Sequence, residues 1–333
     1  MSKKNNWFKS NFDSRYVCTA IAFIVFISAT LLIVFTGSAM SNAGGYVEAD
    51  KKEKPTSVIS PTENVDKNKE NENFDVLQVS DTQLNEGELV VVNKEHQCLT
   101  NGLDLIGIMD NKNDTYTVAD YLESLNSVSL KNLNDMMSGF YAYAGPTDIF
   151  VSCGYRSYET QKGIYDNSVA VNGSEHADVF VSKPGYSEHQ TGYVFDFALY
   201  DSQGNFTDFT GEGNYSWISQ NCKNYGYILR YTQEKEEVTG INYEPWHFRY
   251  VGQGHSQYIT DNGLALEEYI DLLKNKHTKE NPLKLTDVNG VMYYTYYEAK
   301  TDGNNVYVPK NKEYTISGDN IEGYIITYKE WLF

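Results

Sequence analysis

The sequence predicts an α+β fold, with a central small antiparallel sheet and flanking helices around a cleft. One transmembrane helix precedes this body and a small β appendage follows it. Three observations carry the reading. Helical and strand periodicities intermix between residues 88 and 274. An uncharged apolar run lies near the N-terminus. From Pro282 onward the texture turns Tyr-, Val- and Thr-rich, broken by Asn-Gly, Asp-Gly and Gly-Asp turns.

The apolar run is VCTAIAFIVFISATLLIVFT, residues 17–36. As a helix it reaches roughly 30 Å, about one hydrocarbon core. Lys3, Lys4, Lys9 and Arg15 precede it against Asp13, and no basic residue follows until Lys51. That asymmetry places residues 1–16 in the cytoplasm and the remainder outside a cell membrane. A cleaved signal peptide is the competing reading, since SNAGG offers a peptidase small residues. The run exceeds the 7–15 residues usual for such a signal, which favours an uncleaved anchor. Residues 37–75 read as a disordered linker, because Lys, Glu, Asn, Pro, Ser and Thr leave little to bury.

Formal charge is −18 for the chain, and removing the +3 of the N-terminal residues leaves −21 outside. Such a surface excludes electrostatic binding of nucleic acid or anionic lipid. A substrate carrying a carboxylate then needs a local cation. Cys98, Cys153 and Cys222 are the exported cysteines, which permits at most one disulfide and one spare thiol. No CxxC pair is present, so a thiolate zinc site is not expected.

Residues 76–276 form the predicted main domain and 277–333 the β-rich extension. ELVVVN at 88–93 reads as a strand. SLKNLNDMMSGFYAY at 129–143 spaces Leu130, Leu133, Met136, Met137 and Phe140 as a helix behind a Ser129 cap. IFVS is a buried strand, and Arg156 and Gln161 begin the next helix. YVFDFALY at 193–200 alternates as a strand, with Phe195 and Phe197 inward and Asp196 turned to a cleft. A helix over 217–227 ends at Gly226, YILRY follows as a strand, and 260–274 is helical. VMYYTYYEA, NVYVPK and GYIITYKEWLF are the appendage strands. Neither internal repeats nor a heptad seam occur.

Six histidines are available. His96, His255 and His277 lack a partner pattern and read as surface or loop residues. His176, two residues before Asp178, is a weak match that we set aside. His189 and Asp196 in SEHQTGYVFDF gain meaning from YEPWHFRYVG, where Glu244 precedes His247 by three residues. Catalytic zinc takes three ligands of His and carboxylate type and keeps a fourth position open. It also needs a carboxylate that is not a ligand to take a proton. His189, Asp196 and His247 supply the ligands, and Glu244 the base. Pro245 disfavours a helical Glu244, so helical periodicity need not join the two. On spacing alone, a buried ion pair of Asp196 with Arg156 or Arg249 accounts for these residues equally well.

The pair SEHQTGYVFD and EPWH resembles the zinc D-alanyl-D-alanine carboxypeptidases of the vancomycin-resistance type, in the superfamily of lysostaphin-like peptidases and the hedgehog domain. SCGYRSYETQ is similar to that family's Ser-Gly-Tyr-Arg-Ser…Gln stretch, and the likeness runs roughly over residues 87–274. Two departures are Val194 in place of the motif's alanine and Cys153 inserted between Ser152 and Gly154.

The resemblance implies that His189, Asp196 and His247 bind Zn²⁺ in the cleft. It makes Glu244 the general base and then the proton donor to the leaving amine. Arg156 would hold substrate and stabilise the oxyanion, while Ser187 and Gln161 contact substrate near its terminal carboxylate. The implied activity removes the terminal D-alanine from peptidoglycan stem pentapeptides ending in D-Ala-D-Ala. An L,D-carboxypeptidase acting on tetrapeptide stems is the nearest rival. A wall-binding domain with a structural metal is the non-enzymatic one, and Glu244 argues against it. A D,D-dipeptidase is set aside, because that activity acts on free dipeptide in the cytoplasm.

Overall fold

The computed structural model describes residues 73–330. Its strands begin with β1 (Phe74–Gln78), β2 (Leu105–Gly107), β3 (Thr117–Val118), β4 (Ser124–Asn126), β5 (Ile149–Cys153), β6 (Val194–Tyr200) and β7 (Phe206–Asp208). They continue with β8 (Tyr227–Leu229), β9 (His247–Tyr250), β10 (Leu283–Thr286), β11 (Met292–Ala299), β12 (Asn305–Pro309), β13 (Tyr314–Gly318) and β14 (Gly323–Lys329). The helices used below are α1 (Ser127–Ala144), α2 (Tyr158–Asn172), α3 (His255–Asp261) and α4 (Leu266–Lys276).

The central sheet runs β3-β5-β6-β9-β8, with β7 also paired to β6. β5, β6, β9 and β8 pair antiparallel, as expected, but β3 lies parallel to β5. The sheet is therefore mixed. The eighteen-residue α1 stands between β3 and β5 in the chain and supplies the crossover that a parallel pair requires. Phe195, Phe197 and Phe248 pack with Leu130, Leu133, Met136, Met137 and Phe140 of α1 in one core. Each such side chain contributes roughly 1.5–3 kcal/mol on burial.

Several expected boundaries move. α1 opens at Ser127, where the Asn126 side chain accepts from the amides of Val128 and Ser129. Asn126 is the cap, not Ser129. Ser129 sits inside the helix, its hydroxyl 2.9 Å from that of Tyr227. The predicted helix over 260–274 is two helices, because the chain turns at Gly263 with φ +59° between α3 and α4. Residues 88–93 form no strand. They run as a buried segment whose backbone is held by side chains instead: Arg249 Nη2 donates to the carbonyls of Glu88 and Val90, each at 2.9 Å.

The C-terminal strands form an antiparallel sheet, β10-β11-β14-β13, and β12 pairs with β1. Strand β1 starts at Phe74, so the last two residues assigned to the linker belong to a strand. This sheet shares a core with the rest of the chain. Tyr297 and Ile325 pack in one cluster with Leu89, Val91 and the α4 residues Leu266, Tyr269, Ile270 and Leu273. His255, expected at the surface, is buried there between the Tyr269 hydroxyl at 2.7 Å and Thr327 Oγ1 at 3.0 Å. Cys98, Cys153 and Cys222 are all free thiols. The apolar run at 17–36 lies outside the described residues, and among those described no helix is long and apolar enough to cross a membrane.

Candidate active site

Sheet register builds the site. Asp196 stands opposite His247 across β6 and β9, and opposite Cys153 across β5 and β6. The pairing shifts between Val151 and Cys153, so Ser152 is the extra residue of a bulge that brings Cys153 level with Asp196. His189 comes from the 3-10 turn Glu188–Thr191 just before β6. Gly192 ends that turn at φ +80°, and a Cβ there would meet Leu105 Cδ2 at 2.7 Å. Only glycine fits.

The Asp196 carboxylate lies between two imidazoles. Its Oδ2 is 3.3 Å from His189 Nε2 and its Oδ1 is 3.0 Å from His247 Nδ1. All three side chains are buried. Burial alone would raise the carboxyl pKa, yet the flanking histidines hold it well below the usual range. Asp196 Oδ1 nevertheless has no hydrogen-bond partner. At 3.0 and 3.3 Å, the two carboxylate oxygens stand against one nitrogen of each ring, spacings that an ion-paired cluster and three ligands of one cation share.

Each imidazole has its other nitrogen engaged elsewhere. His189 Nδ1 lies 2.7 Å from the Gly154 carbonyl, an acceptor only, so Nδ1 carries the proton and Nε2 is left for Asp196. The Gly154 amide in turn donates to Glu123 Oε2 at 2.5 Å. His247 Nε2 points to Glu188 Oε2, 3.5 Å away. The rings meet edge to face at 5.2 Å, and Tyr231 packs 4.7 Å from the His247 ring.

Glu244 Oε2 is 3.6 Å from His247 Nδ1. Burial pushes Glu244 up to about 7, helped by the Asp196 charge and opposed by His247 and His189. A carboxyl at that value both accepts and returns a proton near neutral pH. The turn at Pro245 explains the placement: the Glu244 amide donates to the Tyr231 carbonyl, and the His247 amide returns to the Glu244 carbonyl at 3.2 Å. Glu244 and His247 thus meet through a turn, not a helix face.

Arg156 enters from the loop between β5 and α2. Its Nη1 donates to Gln161 Oε1 at 2.8 Å and its Nη2 to Cys153 Sγ at 3.0 Å. Gln161 Nε2 donates to the Ser182 carbonyl at 2.6 Å, so both ends of this buried amide are engaged. Ser187 is buried at the start of the 3-10 turn. Arg249 is turned to Glu188, its Nη1 2.9 Å from Oε1.

The structure thus brings His189, Asp196, His247 and Glu244 into one cluster, and Arg156, bonded directly to Gln161, reaches that cluster through Cys153. Side-chain donor atoms of Cys153, His189 and Asp196 also lie within 4.8 Å of one another. Sequence reasoning took Cys153 as a bystander thiol and passed over Glu188 and Glu123. Glu188 carried a readable signal, an acid inside the buried SEHQT turn.

Comparison with known proteins agrees with this geometry. A family model described as VanY, D-alanyl-D-alanine carboxypeptidase, matches residues 123–253. The bifunctional D-Ala-D-Ala dipeptidase and D-Ala-D-Ala carboxypeptidase VanXYC of Enterococcus gallinarum is 43% identical over 38% of this chain and 68% of its own length. This chain belongs to the VanY family. A D-alanyl-D-alanine carboxypeptidase of Enterococcus faecium is 29% identical over 91% of this chain and 95% of its own. The crystal structure of the vancomycin-resistance D,D-dipeptidase VanXYg, in complex with a D-Ala-D-Ala phosphinate analogue, superposes with a TM-score of 0.68. That pair is 30% identical and covers 77% of this chain and 99% of the other. The VanY match spans every residue of the cleft, from Glu123 to His247.

Proposed function

We propose that this VanY-family chain is a zinc D-alanyl-D-alanine carboxypeptidase that removes the terminal D-alanine from peptidoglycan stem peptides. The observation that carries the reading is the buried Asp196 carboxylate, met at Oδ1 by His247 Nδ1 across 3.0 Å and at Oδ2 by His189 Nε2 across 3.3 Å. Two imidazole nitrogens and one carboxylate are a donor set that suits Zn²⁺. His189 would hold the ion through Nε2, His247 through Nδ1 and Asp196 through its carboxylate. When bound, zinc supplies a Lewis acid that polarises a carbonyl and acidifies water.

The remaining steps fall to the chain's own groups. Glu244 takes a proton from the attacking water and returns it to the amine of the departing D-alanine. Its pKa of about 7 suits both directions. Arg156 is the local cation that an anionic substrate needs on an acidic protein. Held by Gln161 and Cys153, its guanidinium is preorganised to meet negative charge that develops in the transition state, a contribution of about 3–4 kcal/mol in comparable sites. Gln161 acts here by fixing Arg156, and Ser187 lines the substrate side. Residues 17–36 would anchor the domain outside the membrane, a reading supported by hydropathy and flanking charge.

The test is incubation of the purified full-length chain with a stem pentapeptide ending in D-Ala-D-Ala and with the matching tetrapeptide. Loss of one alanine from the pentapeptide, blocked by a chelator and restored by zinc, is expected. Cleavage of the tetrapeptide alone would move the reading to an L,D-carboxypeptidase.

A further inference from the structure

We propose that the cavity enclosed by α1, the turn after β9 and the C-terminal sheet is a second binding site, and that it takes a neutral oligosaccharide of amino sugars. A sugar of this class fits the peptidoglycan substrate proposed above, and to that extent rests on it.

The cavity measures about 320 Å³, at the lower end of the roughly 300–1,000 Å³ usual for small-ligand sites. Asn132, Tyr250 and Gln253 line it from the peptidase domain, and Tyr293 and Tyr314 from the C-terminal sheet. Tyr250 stands three residues beyond His247 on β9, roughly 10 Å along the strand and on its opposite face. That face packs against α1, where Phe248 and Tyr250 join the core. The cavity shares no lining residue with the catalytic cluster.

Its walls are polar and their hydrogen bonds are loose. Asn132 is only 7% exposed. Its Nδ2 donates to the Val128 carbonyl at 2.9 Å but reaches the Tyr250 hydroxyl only at 3.4 Å. Its Oδ1 accepts from Gln253 Nε2, also at 3.4 Å. Both long contacts lie beyond the usual range, so two amides and a hydroxyl keep capacity for a ligand. His255 beside them has both nitrogens engaged, by Tyr269 and Thr327, and gives the site a fixed, uncharged wall.

Charge narrows the choice of ligand. Glu88 and Glu313 balance Lys131 and Lys329 in the lining. Lys329 Nζ lies 3.8 Å from Glu313, and Lys131 Nζ lies 3.0 Å from Asp135. Burial moves Glu88 toward its neutral form. That balance favours a neutral ligand over an anion. A sugar ring offers C–H faces to tyrosine rings, and hydroxyl and acetamido groups to amides, which complements this lining.

A plainer account makes the cavity a seam left where the C-terminal sheet docks. Elsewhere that joint is closed by apolar packing among Leu89, Leu266, Tyr297 and Ile325. Along the cavity the same two parts present hydroxyls and amides to open space instead. Holding a glycan strand there would raise the local concentration of the stem peptides it carries.

The test is isothermal titration calorimetry of the full-length chain with the β-linked tetramer of N-acetylglucosamine. Wild type should bind it. Gln253→Ala and Tyr314→Ala, both at partly exposed positions, should each weaken binding by about tenfold, the effect of one lost hydrogen bond or ring contact. Both variants should release D-alanine from a free stem pentapeptide at the wild-type rate, and from intact sacculi more slowly. No binding of the tetramer by wild type overturns the proposal, as does wild-type affinity in both variants. Displacement of the tetramer by the stem pentapeptide would also overturn it and assign the cavity to peptide. A wild type that binds the tetramer but releases no D-alanine would keep the site and sink the carboxypeptidase reading.

Discussion

Arg249 Nη1 donates to Glu188 Oε1 across 2.9 Å, and both side chains are closed off from solvent. The same guanidinium holds the Glu88 and Val90 carbonyls through Nη2. One side chain thus ties the turn that carries His189 to a segment with no ladder of its own. Arg249→Ala leaves a buried carboxylate half-paired and two carbonyls without their donor. Breaking a buried pair from one side costs about 3–5 kcal/mol. Urea unfolding should show a loss of that order, and a loss below about 1 kcal/mol would contradict the arrangement.

Glu244→Ala should separate chemistry from metal binding. Glu244 stands beside the ligand His247 but is the group placed to move protons. Turnover should fall by at least about 10²–10⁴-fold, the usual share of a general base. Zinc content per chain, measured by atomic absorption, should stay at the wild-type level. Residual activity near wild type would remove the base assignment.

His255 gives a pH dependence of stability. Burial lowers its pKa from 6.5 to about 3 in the folded state. Between those values the unfolded chain binds a proton that the folded chain refuses. The stabilisation is complete above pH about 6.5 and is lost as pH falls toward about 3. Its slope reaches at most about 1.4 kcal/mol per pH unit. Unfolding free energies at pH 7, 6 and 5 should therefore drop more steeply in wild type than in His255→Gln. Equal slopes would show that His255 titrates normally.

Removal of residues 277–333 should unfold the peptidase domain rather than trim it. Tyr297 and Ile325 fill the cluster that buries Leu266, Tyr269 and Leu273 of α4. Their loss exposes that helix face and removes Ser317, whose hydroxyl accepts from the Leu89 amide at 2.9 Å. Circular dichroism of the truncated chain should lack a cooperative thermal transition. A sharp transition near that of the full chain would show an independent domain.

Much of the site was legible because its chemistry needs fixed residue types. A buried acid in an aromatic strand, Asp196, and a Glu three residues before His247 are hard to place without a ligand or a partner. Strand β6 was legible through alternation, β5 as a buried apolar run, and β11, β12 and β14 as Tyr-, Val- and Thr-rich runs between turn signals. Residues 88–93 misled for a physical reason. A β-branched run reports burial and extension, but whether its amides find a strand is decided by distant groups, here Arg249 and Ser317. Glu188 was missed likewise, since its partners Arg230 and Arg249 are separated from it by 42 and 61 positions. The parallel placement of β3 depends on where α1 lands, which local pattern does not encode.

Strand β1 pairs along its length with β12, from Phe74 opposite Pro309 to Gln78 opposite Asn305. Ladder hydrogen bonds in such a pair lie across the strand direction. A pull along β1 from its N-terminal end would load these bonds together in shear, not one after another. Tension entering along β1 would therefore be borne first by the β1–β12 ribbon, which pairs as a two-stranded sheet of its own. Single-molecule pulling from residue 73 should give one high-force event for the wild type. A gradual low-force peeling would mean that the ribbon carries no load.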